Sequence, residues 1–299
     1  MSILVVGSVG IDPLETPCGK RDEVLGGSAC HFSLAASSLS KDIRMVGVVG
    51  EDFPKEHSQL LQDHGVDLSG LERVPGKTFR WHGRYEDFGT AMSLSTELNV
   101  FEQFSPKIPD SYRDSSIVFL GNIAPALHRQ VLEEVGEARL TVMDTMNFWI
   151  SSMKDEVLDL IRSVDVAIVN DQEAKDLSGE RHAHDAGKAL LDGGAKRVIV
   201  KKGEHGALLL GPEGAFLCPS YPSSCIVDTT GAGDSFAGGF CGYLDHCGRS
   251  DEDSFRKAVV YGCIMGSLNI EGFGPERSAT VSKRDIDDRY RYIEEITRF

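Results

Sequence analysis

The sequence has no Cys-x-x-Cys pair, and its seven cysteines (18, 30, 218, 225, 241, 247 and 263) are scattered and odd in number. That pattern argues against a zinc ligand set or a disulfide frame and leaves reduced thiols. No apolar run approaches the roughly 18 residues of a membrane helix, and no basic, apolar leader opens the chain. The expected compartment is therefore cytoplasmic, with no membrane partner. A block of basic residues is also missing: 31 Lys and Arg against 46 Asp and Glu leave a net charge of −15. Nucleic acid needs a concentrated cationic footprint and is not an expected partner. A nucleotide ligand survives that argument, because a few amides and a metal suffice to hold phosphates. Nor is there a complete Gly-x-Gly-x-x-Gly. Gly7-Ser8-Val9-Gly10 has the wrong spacing and no helical pattern directly after it, which counts against a dehydrogenase. No internal repeat or low-complexity linker divides the 299 residues, so 1–299 is read as a single domain.

What is present begins with an alternation of short apolar runs and helix-length stretches. Ile3–Val6, Ile43–Val49, Ile117–Leu120, Leu140–Met143 and Val166–Val169 read as buried strands. The stretches between the later runs, 125–136 and 154–163, have helical length. This βαβ order predicts an α/β fold, a mostly parallel central sheet with helices on both faces. Ligands in such sheets gather beyond the strands' carboxyl ends, where Asp144, Asn147, Asn170 and Glu173 fall. Two runs alternate instead with period two. The run 78–85 puts Phe79, Trp81 and Tyr85 on one face and Arg80, His82 and Arg84 on the other, and 92–99 follows it. They predict a small antiparallel sheet beside the main one, or an edge hairpin whose aromatics cover core.

The chain is organised around Asp228-Thr229-Thr230-Gly231-Ala232-Gly233-Asp234-Ser235-Phe236-Ala237-Gly238. Gly231 and Gly233 let the backbone bend tightly at the start of a helical stretch. Unpaired amides and the helix dipole there favour an anion. Asp234 lies beside that spot, and the plainer alternative is a tight turn with an Asp near the N-cap.

This motif resembles the signature of the ribokinase-like (PfkB) carbohydrate and nucleoside kinases, and the family's landmarks can be followed from about residue 3 to 275. The resemblance implies a ribokinase-like fold with a small β-sheet lid, from strands at roughly 12–25 and 77–100. It implies transfer of a phosphoryl group from ATP, with Mg2+, to a hydroxyl. Asp234 becomes the general base, and the amides of Gly231, Ala232 and Gly233 stabilise the transferring phosphoryl group. Asp12, the pair Gly26 and Gly27, and His31 become substrate contacts. His31 stands where the family carries Asn, and it differs from Asn in reach and shape.

For the nucleotide, the resemblance points to Asn170, Glu173, Lys201, Gly203, Gly272 and Gly274. Glu173 would act on Mg2+ through coordinated water, although Asn170 and Glu173 are equally well spaced for a capping box. Asp228 and Thr230 match positions that hold a monovalent cation, possible K+ here. Trp149 stands where an Arg often follows the Asp144–Asn147 region. The acceptor is expected to be a sugar, with a nucleoside as alternative because Phe79, Trp81 and Tyr85 could stack on a base. The lid also makes a homodimer possible. A non-catalytic sensor or scaffold would show an eroded phosphate site, and these residues are intact.

Overall fold

The computed structural model describes residues 2–89 and 91–298, so Thr90, inside the expected lid span, lies outside the described residues. In chain order the strands are β1 (Ile3–Val6), β2 (Gly10–Thr16), β3 (Gly19–Gly26), β4 (Ile43–Val49), β5 (Val66–Arg73), β6 (Phe79–Arg84) and β7 (Met92–Glu97). β8 (Ile117–Leu120), β9 (Leu140–Asp144), β10 (Val166–Asn170), β11 (Val198–Lys201), β12 (Ala207–Gly211) and β13 (Gly214–Cys218) follow. The helices are α1 (Ser28–Ser37), α2 (Lys55–Asp63), α3 (Pro125–Glu134), α4 (Asn147–Ser152) and α5 (Lys154–Ser163), then α6 (Asp171–Ser178), α7 (Ala183–Asp192), α8 (Ala232–Cys247), α9 (Glu252–Asn269) and α10 (Lys283–Thr297).

Nine strands form the main sheet in the order β13-β12-β11-β10-β9-β8-β1-β4-β5. The seven from β11 to β5 run parallel, and β12 is antiparallel to both its neighbours, β11 and β13. Period-two alternation sends Ile3, Val5, Ile117 and Phe119 into a core beneath α1, α8 and α9. It sends Leu4, Val6, Val118 and Leu120 into a second core beneath α3, α5, α6 and α7. Strand order reverses at β1, whose neighbours are β8 and β4. That switch point opens a crevice at the carboxyl ends of the strands.

The second sheet has the order β3-β2-β6-β7. It is mixed rather than antiparallel, because β2 and β6 pair in parallel. The reason is topological. β2 follows the carboxyl end of β1 and β6 follows that of β5, so both leave the main sheet at the same end. A register shift between His82 and Gly83 breaks the expected alternation, and Tyr85 falls beyond the strand.

The small residues of α1 and α8 let these two helices approach closely. A side chain at Gly238 would collide with the Phe32 carbonyl oxygen and come 2.9 Å from Ala35 Cβ. Gly238→Ala should therefore destabilise the fold by about 1–3 kcal/mol through overpacking. Calorimetry should read a fall in Tm of at least about 2 °C.

Candidate active site

At the carboxyl end of β9, Asp144 accepts a hydrogen bond from Lys201 Nζ at the end of β11, at 2.7 Å. The lysine reaches this position because β9, β10 and β11 are adjacent and parallel. Glu173 sits between them, one turn into α6. Its carboxylate accepts from the Asn170 amide at 2.7 Å, while Asn170 Oδ1 accepts from the Glu173 amide at 2.8 Å. The capping box is thus real. Burial raises the Glu173 carboxyl to about 7 against the pull of Lys201. Burial also opposes the Lys201 charge, but Asp144, Glu173 and Asp234 outweigh it and hold the ammonium above the usual lysine value.

The anion turn meets this cluster directly. Gly231 is left-handed (φ 70°), and α8 begins after it with no side-chain cap; the Ala232 amide donates to the Thr229 carbonyl at 3.3 Å, while the next amides of the first turn are open to a ligand. A Cβ on Gly233 would stand 2.8 Å from Lys201 Nζ, which places the ammonium against the turn. Asp234 follows in the first turn of α8. Burial, then the charge of Asp144, raise its carboxyl to about 7 despite Lys201.

The turn is braced from behind by Asn269, a fully buried residue at the end of α9. Its Nδ2 donates to the Thr230 carbonyl at 2.7 Å, and its Oδ1 accepts from Ser235 Oγ at 2.9 Å and Ser278 Oγ at 3.1 Å. His31 Nδ1 lies 3.3 Å from the same oxygen. Because that oxygen can only accept, Nδ1 carries the proton, and Nε2 is left as an acceptor. Burial lowers the His31 pKa and keeps the ring neutral. Its Nε2 is buried without a partner among the described residues. Asp228 Oδ1 accepts from the Thr230 amide at 2.9 Å and Oδ2 from the Gly274 amide at 2.8 Å, which ties the 271–275 loop to the turn.

Asp12, on β2, faces the same crevice. Its Oδ1 accepts from the Trp81 amide at 3.3 Å, and its carboxyl occupies the space that a Gly26 side chain would fill. Gly27 is left-handed (φ 92°), and its absent side chain lets the backbone rest on Ser8. Burial raises Asp12 to about 7, and the charges of Asp228 and Asp234 add to this. The three carboxylates are electrostatic neighbours.

The structure thus brings together Asp12, Gly26, Gly27, His31, Asn170, Glu173, Lys201, Asp228, Thr230, Gly231, Ala232, Gly233, Asp234 and Gly274. His31 differs from expectation in its placement: the ring packs under Gly231 and its Nε2 is shielded from solvent. Gly203 begins an exposed turn after β11, and Gly272 lies behind the turn, its amide donating to the Asn269 carbonyl at 3.4 Å. Lys201, which as sequence alone could have been an exposed structural lysine, is largely sheltered and paired with Asp144.

The expected aromatic face also dissolves. Phe79 packs on Phe101, and Trp81 packs beside Leu14, Val24 and Phe273. Tyr85 is buried with its hydroxyl 3.0 Å from Thr230 Oγ1. Asn269 was missed altogether. Its only trace in the sequence is a polar residue closing an otherwise small and apolar helix.

A crevice at a switch point, roofed by a small sheet and floored by an uncapped helix start, defines the class: an α/β protein built to hold a phosphorylated ligand. The chain belongs to the pfkB family of carbohydrate kinases, whose model matches residues 2–275. Members of this family are kinases that phosphorylate hydroxyl groups of sugars and nucleosides, and the chain is a phosphotransferase of that kind. It is 31% identical over 272 residues to the cytidine kinase of Thermococcus kodakarensis, covering 87% of this chain and 96% of that one. Its fold matches the Burkholderia thailandensis nucleoside kinase in complex with inosine (TM-score 0.82, 20% identity, 97% of each chain). It also matches an E. coli protein described as ribokinase II, solved with ATP and Mg2+ (TM-score 0.80, 19% identity, 97% and 99% coverage). No helix among the described residues is long and apolar enough to cross a membrane.

Raised carboxyl pKa values make the free protein pH-sensitive. Asp12, Glu173 and Asp234 each hold a proton up to about pH 7 when folded but only up to about 4 when unfolded. The folded state therefore binds more protons between these limits, and stability falls as pH rises through 7. Tm measured from pH 5 to 8 should fall, and Asp234→Asn should flatten that slope.

Proposed function

We propose that this chain transfers the γ-phosphoryl group of ATP to a sugar hydroxyl, with Asp234 as general base. The observation that carries this reading is the pairing of a crowded carboxyl with the uncapped start of a sixteen-residue helix. Asp12 would accept from one hydroxyl of the acceptor, with His31 bracing the turn through Asn269. Asp234 would take the proton of the attacking hydroxyl. A carboxylate suffices there, because the hydroxyl becomes acidic only as its bond to phosphorus forms. The amides of Gly231, Ala232 and Gly233, with Lys201 beside them, would stabilise charge on the transferring oxygens.

Among the described residues, no group of three or more acidic, His or Cys side chains could cage a metal. Yet three carboxyls face one ammonium, a donor set short of positive charge. That fits a hydrated Mg2+ bound mainly through phosphates, with Glu173 contacting its water. Mg2+ supplies neutralisation of phosphate charge. Asp228 is buried with no cationic partner among the described residues, which fits a monovalent cation such as K+ near Thr230.

A nucleoside acceptor is the second reading, favoured by the 31% identity to a cytidine kinase. The edge strand β7 is exposed along its whole length, with Met92 and Leu94 outward, and we read it as the surface through which two copies would pair. Sedimentation of wild-type and Leu94→Lys chains should then show a dimer that the variant loses.

Asp234→Asn should lower kcat by at least about 100-fold while ATP binding persists. Measured ADP release from ATP and Mg2+ over a panel of sugars and nucleosides checks it. Near-normal turnover in that variant would remove Asp234 from the role.

A further inference from the structure

The family match ends at Pro275, so α10 lies wholly beyond it. That helix turns two of its arginines outward, Arg284 with 89% and Arg291 with 70% of the side chain exposed. Arg289 goes the other way, with only 9% exposed. A guanidinium is seldom taken out of water unless partners compensate its charge. Its partners here reach toward the anion turn.

Arg289 Nη2 donates to Glu271 Oε1 at 2.6 Å, and Nη1 donates to Ser267 Oγ near the end of α9 at 2.8 Å. The guanidinium also lies 4.3 Å from the centroid of the Tyr221 ring, which holds it on a third side. Glu271 accepts a further bond from Ser223 Oγ at 2.7 Å, while Arg277 stands off at 3.7 Å. The carboxylate is thus clamped between α10 and the 221–223 segment. Its own loop is bonded on both sides of it to the residues that enter the anion turn. The Ile270 carbonyl accepts from the Val227 amide at 2.8 Å and the Asp228 amide at 3.3 Å, and the Gly274 amide donates to Asp228. Asp228 in turn holds the Thr230 amide. One continuous set of bonds therefore runs from α10 through Glu271 to the anion turn. Without Arg289 the carboxylate would swing to Arg277, and Gly274 would lose its fixed place beside Asp228. Amide donors that are no longer held stabilise an anion less well.

We propose that the Arg289–Glu271 pair positions the anion turn for the phosphates of ATP, so that α10 sets nucleotide affinity from outside the family match. This rests on the kinase reading above and adds two positioning residues to its donor site. The test measures binding of ATP with Mg2+ by titration calorimetry without acceptor, and Tm by scanning calorimetry. ADP release over the acceptor panel supplies KM and kcat. Arg289→Gln and Glu271→Gln should each weaken ATP binding about tenfold, the scale of one lost charged hydrogen bond. KM for ATP should rise by more than kcat falls. The double variant should cost little more than either single one, because both remove the same link. Arg289→Lys keeps the charge but not the two-pronged contact with Ser267 and Glu271, so its affinity should fall between wild type and Arg289→Gln. Arg291→Gln, on the exposed side of the same helix, should bind ATP as wild type does. A lower Tm in Arg289→Gln and Glu271→Gln with wild-type ATP affinity would make the pair merely structural, overturning the positioning role and leaving the kinase reading standing. If wild type bound no ATP, the kinase reading would fall and the positioning role with it.

Discussion

The site depends on an imbalance of charge. Lys201 is one ammonium facing Asp144, Glu173 and Asp234 at the ends of three neighbouring elements. The Asp144 ion pair is short and sheltered, so it takes most of the lysine's compensation. The remaining two carboxyls are left to hold protons near neutrality. Such a site is poorly satisfied by its own side chains. A cation and a phosphate arriving together would satisfy it, which is why we propose a metal-bound polyphosphate there. Burial, with this imbalance added, raises Asp234 to about 7, a range that would suit the base role proposed for it.

Preorganisation of the anion turn comes from a different source. Free amides point usefully at a ligand only if the backbone carrying them cannot relax. Here Asn269 joins the start of α8, the end of α9 and the ring of His31 through one amide group. Asp228 fixes the other side of the turn through Thr230 and the 271–275 loop. The donors are therefore aimed before any ligand binds, which is how backbone dipoles stabilise developing charge without rearranging.

Much of this was legible. The βαβ runs gave the sheet because a strand buried on both faces leaves a continuous apolar signature, as in Val166–Val169. The Gly231–Asp234 turn was legible because only glycine takes φ 70° cheaply at a helix start. Asn269 was not, since its importance comes from three partners distant in sequence or set by tertiary packing. Lys201 was equally opaque: a lysine at a strand end is ordinary until parallel pairing brings Asp144 beside it. The lid aromatics misled because a register shift after His82 breaks the period on which their common face relied.

The small sheet is fastened most firmly where it meets the chemistry. Asp12 is bonded to the Trp81 amide across β2 and β6, Tyr85 reaches Thr230, and Gly274 presses its Cα against Val24 of β3. Arg21 lies over Phe273, 4.5 Å from its ring centroid, and binds the hairpin to the same loop. Any closing motion therefore has to take place beyond this root, among the exposed residues of β7. Movement at the root would displace Asp12 together with Asp228 and the anion turn, so the proposed acceptor and donor sites would shift as one body. Rigid coupling of that kind preserves alignment between the two reactants, the property that phosphoryl transfer depends on most.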